Sequence, residues 1–175
     1  MSIVVPENMI GHFRIAINKH QKNDLQSFIN RYEKKYLIDL FGPDIYATFI
    51  ADLGASSPQV PNNTPFTTIF DCFQICTPCG ETYNCDGLLD MLKGFFYYHW
   101  NAEDWLKKTS SGTTVVDSEN STVRASSQIG LANYWNDAVQ NYELIQLYIC
   151  QNIELFETTD EIKYKGIEKE FMPLT

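Results

Sequence analysis

The sequence predicts a mainly α fold: a bundle of about four helices with one long C-terminal helix and an irregular Cys- and Pro-rich insertion that holds candidate short strands. Three observations predict it. Apolar residues recur at three- and four-residue steps over 25–53, 86–105 and 122–157. Helix-stopping signals, Gly42-Pro43 and Gly54, stand at the ends of the early runs. Between 54 and 86 the periodicity fails, and Pro58, Pro61 and Pro65 break any helix there.

The first helix has Asp24 as its cap, and Leu25, Phe28, Ile29, Tyr32, Tyr36 and Leu40 share one face. Gly42 suits a left-handed helix end and Pro43 a first turn, so a second helix, Pro43 to Leu53, follows at a sharp corner with no linker. Met9 to Ile17 contains a short alternating run, a weak strand signal broken at Ile10-Gly11. Phe66 to Ile75 is rich in β-branched and aromatic residues and reads as a candidate strand. The third helix starts near Asp86 and is apolar nearly all round to Trp105, which places it at the centre of the domain or under a partner. Gly94 inside it costs roughly 1 kcal/mol against Ala and implies close approach of a neighbouring helix. Thr109 to Ser121 is polar around Val115-Val116 and reads either as a connector or as a hairpin-like arm that pairs with another subunit. The fourth helix, Thr122 to Glu157, would be roughly 50 Å long. It carries the seam Leu131, Trp135, Ala138, Tyr142, Ile145, Ile149, Ile153, Phe156, and either kinks near Gly130 or reaches past its own domain. One domain therefore spans 1–175, with an insertion at 54–86 and a charged tail at 158–175.

With 175 residues the chain can bury a sizeable core. The net charge of −9 argues against a clamp on DNA or RNA, which needs a basic face, but suits a surface past which DNA slides without sticking. Residues 1–20 carry no secretion signal, and no apolar run is long enough to span a membrane. The five Cys are expected to be reduced.

An aromatic fraction of 14%, with ten Tyr and eleven Phe, exceeds what one small core usually hides. Either the core is unusually aromatic or some rings line subunit contacts. On the second reading the candidate contact residues are Phe95, Tyr97, Tyr98, Trp100, Trp105, Val115, Val116, Tyr134, Trp135 and Tyr142.

Catalytic signatures are missing. His12, His20 and His99 lie in no metal-binding spacing, and His99 reads as a satisfied core or interface histidine. No nucleophile elbow, Walker A or dinucleotide fingerprint occurs, and Glu7, Glu33, Glu81 and Glu103 are scattered. A non-enzyme is expected. The one constellation with metal character is Cys72, Cys76, Cys79 and Cys85. Cys76-Thr77-Pro78-Cys79-Gly80 looks like a zinc knuckle, and zinc would pin the long insertion. The flanking spacings of three and five depart from paired Cys-x-x-Cys sites, and the alternative is four reduced thiols, some buried as small hydrophobes.

The stretch Phe28 to Leu53, FINRYEKKYLIDLFGPDIYATFIADL, resembles the opening helical corner of head–tail connector (adaptor) proteins of tailed bacteriophages, with Glu33, Tyr36-Leu37 and the Leu40-Phe41-Gly42 break in place. Gly87 to Tyr98 resembles that family's central aromatic helix. Gly112 to Ser121 and the helix after it resemble its loop and last helix. The resemblance covers about 25–157 and is most suggestive of phages of Bacteroides-type gut bacteria, including crAss-like phages. It implies a structural virion protein, made in the host bacterial cytoplasm, that forms a ring, commonly of twelve copies, below the portal protein. Such a ring joins head to neck, docks the next neck or tail protein, and extends a channel through which DNA passes without sequence-specific binding. The Cys cluster and Pro-rich loop lie outside the family pattern. The Cys spacing alone supports a second reading, a small zinc-stabilised interaction module or phage-encoded regulator.

Overall fold

A computed structural model of the chain describes residues 2–15, 21–104, 106–109, 112–115, 121–156 and 166–169, with side chains described at 2–15, 22–102, 130–156 and 166–169. The fold is mainly helical. Helix α1 spans Gln21–Asp52, α2 Phe66–Phe70, α3 Gly87–Asp104 and α4 Ser121–Gln151. Strands β1 (Phe73–Cys76) and β2 (Thr82–Cys85) form one antiparallel hairpin, and β3 (Leu106–Thr109) and β4 (Gly112–Val115) another.

The two early helices, taken together as α1, meet as expected at a kink at Gly42, whose φ of 71° and ψ of 171° are non-helical. That φ is open to glycine and strained for other residues, and Pro43 then restarts the helix without needing a backbone donor. Asp24 lies in the first turn of α1 and not at its cap, because the helix already begins at Gln21. There its charge still complements the helix dipole.

Ring contacts set the helix directions. Phe28 meets Trp100, Tyr32 meets His99 and Tyr36 meets Phe95, so the first part of α1 runs antiparallel to α3. Tyr97 meets Tyr134, while Asp86 meets Asn141, so α4 is antiparallel to α3 as well. Helix α3 therefore lies between the other two, and Leu88, Met91, Leu92, Phe95 and Phe96 are fully buried. Burying each such side chain contributes roughly 1.5–3 kcal/mol. Gly94 makes this sandwich possible. A Cβ at that position would sit 2.9 Å from the Ala138 Cβ and 3.3 Å from the Tyr134 carbonyl oxygen. The close approach predicted from Gly94 is present, and its partner is α4.

Helix α4 has 31 residues and is about 46 Å long. It passes through Gly130 unbroken, and a 3-10 turn at Ile153–Phe156 follows it. Ala138, Tyr142, Ile145, Ile149 and Phe156 of the predicted seam are buried, whereas Leu131, Trp135 and Ile153 are half-buried.

Two local expectations are corrected, and a third is narrowed. Phe66 to Ile75 is not one strand. Its first half forms α2, which buries Phe66, Ile69 and Phe70 at helical spacing, and only Phe73–Cys76 is extended. β-branched and aromatic composition does not separate a strand from one buried helical turn at this length. The described part of Met9 to Ile17 holds a 3-10 turn at Gly11–Phe13, entered through Gly11 at a φ of 64°. Of the two readings of Thr109 to Ser121, the described residues fit the hairpin, with Thr109 paired to Gly112 and Leu106 to Val115.

Gly94→Val is expected to destabilise the protein by about 1–3 kcal/mol through overpacking. Chemical denaturation should show a lower midpoint, partly recovered when Ala138→Gly is added. An unchanged midpoint would mean that α3 and α4 do not touch there.

Candidate assembly surfaces

The long insertion is tied down by carboxylate and backbone contacts. Asp52 closes α1 and accepts hydrogen bonds from the backbone N–H groups of Asn62 (3.0 Å) and Asn63 (3.1 Å). Gly54 N–H donates to the Val60 carbonyl, and Gln59 N–H donates to the Ser2 carbonyl. Phe66 then packs edge-on against Phe41, Phe49 and Phe156.

The hairpin does not bring the four thiols of the proposed zinc site together. In the hairpin, Cys85 lies opposite Phe73, and Cys76 lies opposite Thr82. Paired residues share a face and successive residues alternate, so Cys85 is on the inner face with Phe73 and Ile75, while Cys76 is on the outer face with Gln74. Cys72, Cys76 and Cys79 are exposed, and Cys85 is buried, its thiol 3.7 Å from the Asn141 carbonyl oxygen. Burial pushes the Cys85 thiol pKa up to about 11, so the thiol is protonated at neutral pH. Among the described residues no group of three or more His, Cys, Asp or Glu side chains comes together as a metal ion would need. The knuckle-like Thr77-Pro78-Cys79-Gly80 is a turn. Gly80 N–H bonds the Thr77 carbonyl at 2.9 Å, and Gly80 has a φ of 87°. Pro in second place and Gly in fourth are turn chemistry, which the same spacing serves equally well.

The predicted contact residues divide into three groups. Phe95 and Tyr142 are fully buried, so they are core residues and no partner reaches them: Phe95 stacks on Tyr36 with centroids 4.2 Å apart, and Tyr142 meets the edge of Phe95. Tyr97, Tyr98, Trp100, Tyr134 and Trp135 are half-buried. They gather on the C-terminal half of α3 and the facing part of α4, with Tyr98 4.8 Å and Tyr97 4.6 Å from Trp135 and Tyr134 respectively. Val115 ends β4, while Trp105 and Val116 lie outside the described residues. His99 is satisfied, as expected: its Nε2 is 2.5 Å from the Tyr36 hydroxyl, and its ring stacks on Tyr32 at 4.5 Å.

Glu33 is a site residue that the sequence reading passed over. Its carboxylate is 8% exposed and accepts bonds from the Ser2 hydroxyl (2.6 Å), Ile3 N–H (3.1 Å) and Val4 N–H (3.0 Å). These bonds dock Ile3 and Val4 into the core. Burial raises the Glu33 pKa above the ordinary value, outweighing the lowering by the Ser2, Val4 and Ile3 donors. The available signal was its position four residues after Ile29 on the inward face.

Beside the close approach at Gly94 a cavity of about 530 Å³ opens between α3 and α4, walled by Phe13, Asp86, Asp90, Tyr134 and Asp137. Asp86 is held by Asn141, whose Oδ1 accepts from Asp86 N–H and whose Nδ2 donates to its carboxylate. Asp90 pairs with Lys93 at 2.8 Å.

Comparison with protein-family models, curated proteins and solved structures found no match. Among the described residues no helix is long and apolar enough to cross a membrane.

Glu33→Ala is expected to cost about 1–3 kcal/mol, because the Ile3 and Val4 donors stay buried without an acceptor. The pH dependence carries a sign. A carboxyl whose pKa is higher folded than unfolded binds more protons in the folded state, so its stabilising share is complete below the unfolded value and is lost as pH rises through the folded one. Urea titrations across that interval should show the wild type losing stability relative to Glu33→Gln as pH increases. Parallel curves would contradict the assignment.

Proposed function

We propose that this chain is a structural subunit that works by assembly, forming a ring at the head–tail junction of a tailed phage. The observation that best supports this reading is the gathering of features at one end of the antiparallel helix pair. With Gly94 level with Ala138, the end of α3 falls level with about position 128 in α4, within two turns of its start at Ser121. The β3–β4 hairpin, the beginning of α4 and the half-buried rings of Tyr97, Tyr98, Trp100, Tyr134 and Trp135 therefore share that end. Aromatic residues of this kind are enriched in subunit contacts, and a closed ring needs two different contact surfaces on every copy. The excess of carboxylates suits a channel along which DNA moves without being held. On this reading the protein has no catalytic role, is made in the bacterial cytoplasm and resides in the virion neck. It sits between the portal protein and the next neck or tail protein, in a ring commonly of twelve copies. The alternative of a zinc-stabilised module or regulator draws no support from a hairpin that places its Cys residues on opposite faces.

Cryo-electron microscopy of particles from a phage encoding this chain tests the proposal. The expected result is a closed ring beneath the portal whose repeating density accepts the α3–α4 pair. Finding the neck built from other chains, with this one absent from the particle, would refute it.

A further inference from the structure

We propose that the exposed basic face of α1, formed by Arg31, Lys34 and Lys35, docks on the acidic cleft between α3 and α4 of a second copy of this chain. The proposal rests on the assembly reading above and names one contact between neighbouring copies. Arg31, Lys34 and Lys35 stand at i, i+3 and i+4, so they share one exposed side of α1. Leu25, Ile29 and Tyr36 hold the buried side, and Tyr32 stacks on His99 of α3. Lys22, Lys93 and Lys169 each pair with a carboxylate of their own copy. Arg31 and Lys35 lie instead over the rings of Tyr32 and Tyr36, 5.6 and 5.4 Å from the centroids. Among the described residues, none of the three cations of this face has a carboxylate partner.

The receiving cleft, about 530 Å³, is lined by Asp86, Asp90 and Asp137, and Lys93 offsets Asp90. Asp86 and Asp137 are exposed, so their charge faces solvent. Among the described residues the carboxylates do not gather as a metal ion would need. Carboxylates spread over a cleft of this size suit the separately placed cations of long side chains instead. Phe13 and Tyr134, with ring centroids 5.8 Å apart, give the cleft an apolar wall on which the methylene stems of Lys and Arg can lie. Charge complementarity decides the occupant. At a net charge of −9, two copies repel unless their contact sets cations against carboxylates. A nucleic acid on the same basic face would meet that net charge and leave the acidic cleft unused. The two surfaces cannot meet within one copy, because the basic side of α1 is turned away from α3. Their contact joins different patches of two copies, which is the head-to-tail arrangement that a ring repeats.

Two full-length variants test the contact. Lys34→Glu with Lys35→Glu makes the α1 face acidic, and Asp90→Asn with Asp137→Lys makes the cleft basic. Assembly of the wild type, of each variant and of their equimolar mixture is followed by native mass spectrometry and light scattering. The wild type is expected to assemble at low salt and to dissociate as salt rises. Each variant alone should assemble at least about tenfold more weakly. The mixture should recover assembly with the two variants alternating, because each copy then meets a neighbour of opposite charge on both sides. Urea midpoints should match the wild type. Where one falls, Lys34→Gln with Lys35→Gln, or Asp137→Asn, takes that variant's place and is expected to weaken assembly. A wild type that does not assemble, variants that assemble as well as the wild type, or a mixture no better than its parts would each overturn the contact and leave the neck assignment intact. Duplex DNA retained by the wild type and lost by Lys34→Glu with Lys35→Glu, with assembly unchanged, would overturn it in favour of a nucleic-acid surface. Recovery in the mixture of a chain missing from virion necks would uphold the contact and remove the neck.

Discussion

The contact between Gly94 and Ala138 is the constraint on which the rest of the molecule depends. No side chain fits between α3 and α4 at that point, so the backbone of one helix rests on the other. This fixes the depth of α3 in the bundle. With α3 drawn toward α4, its opposite face is free to stack Phe95 and His99 against Tyr36 and Tyr32 of α1. The cost of a helical glycine, roughly 1 kcal/mol, is small beside the burial of Phe95, Phe96 and Tyr142 that it permits.

Polar groups then secure what the apolar core cannot specify. Glu33 anchors residues 2–4, Asp52 anchors the start of the insertion, and Asn141 joins α4 to the residue before α3. Glu33 and Asn141 close separations of 29–30 and 55 residues, and Asp52 one of 10–11, each with directional bonds to backbone donors. Such bonds fix one register, where burial alone tolerates several. Gly166–Lys169 stands apart from these anchors: its described backbone bond accepts from the half-buried indole of Trp135.

Much of the helical framework was legible because it rests on local chemistry. Gly42-Pro43 announced the bend in α1, Gly94 announced a close neighbour, and the seam from Ala138 to Phe156 faced inward as its spacing required. The failures have one physical source, which is partners distant in sequence. Glu33 was visible as an inward-facing position, yet its donors lie about thirty residues away at the start of the chain. Cys76-Thr77-Pro78-Cys79-Gly80 serves a zinc knuckle and a tight turn equally well, and strand register decides between them. Phe95 and Tyr142 were read as contact residues because aromatic excess alone does not say which rings face inward. Nothing near Lys169 signals Glu143, since that pairing requires the chain to return along α4.

The resulting picture is a stiff, closely packed helix pair with a peripheral segment at Gly166–Lys169. Amide hydrogen exchange on the isolated chain tests that central claim most directly. The picture predicts that Leu88–Phe96 and Ala138–Ile149 exchange last, through global unfolding alone, while the amides of Gly166–Lys169 exchange by local opening orders of magnitude sooner. Equal protection of Gly166–Lys169 and α3, or loss of α3 protection before that of α1, would contradict it.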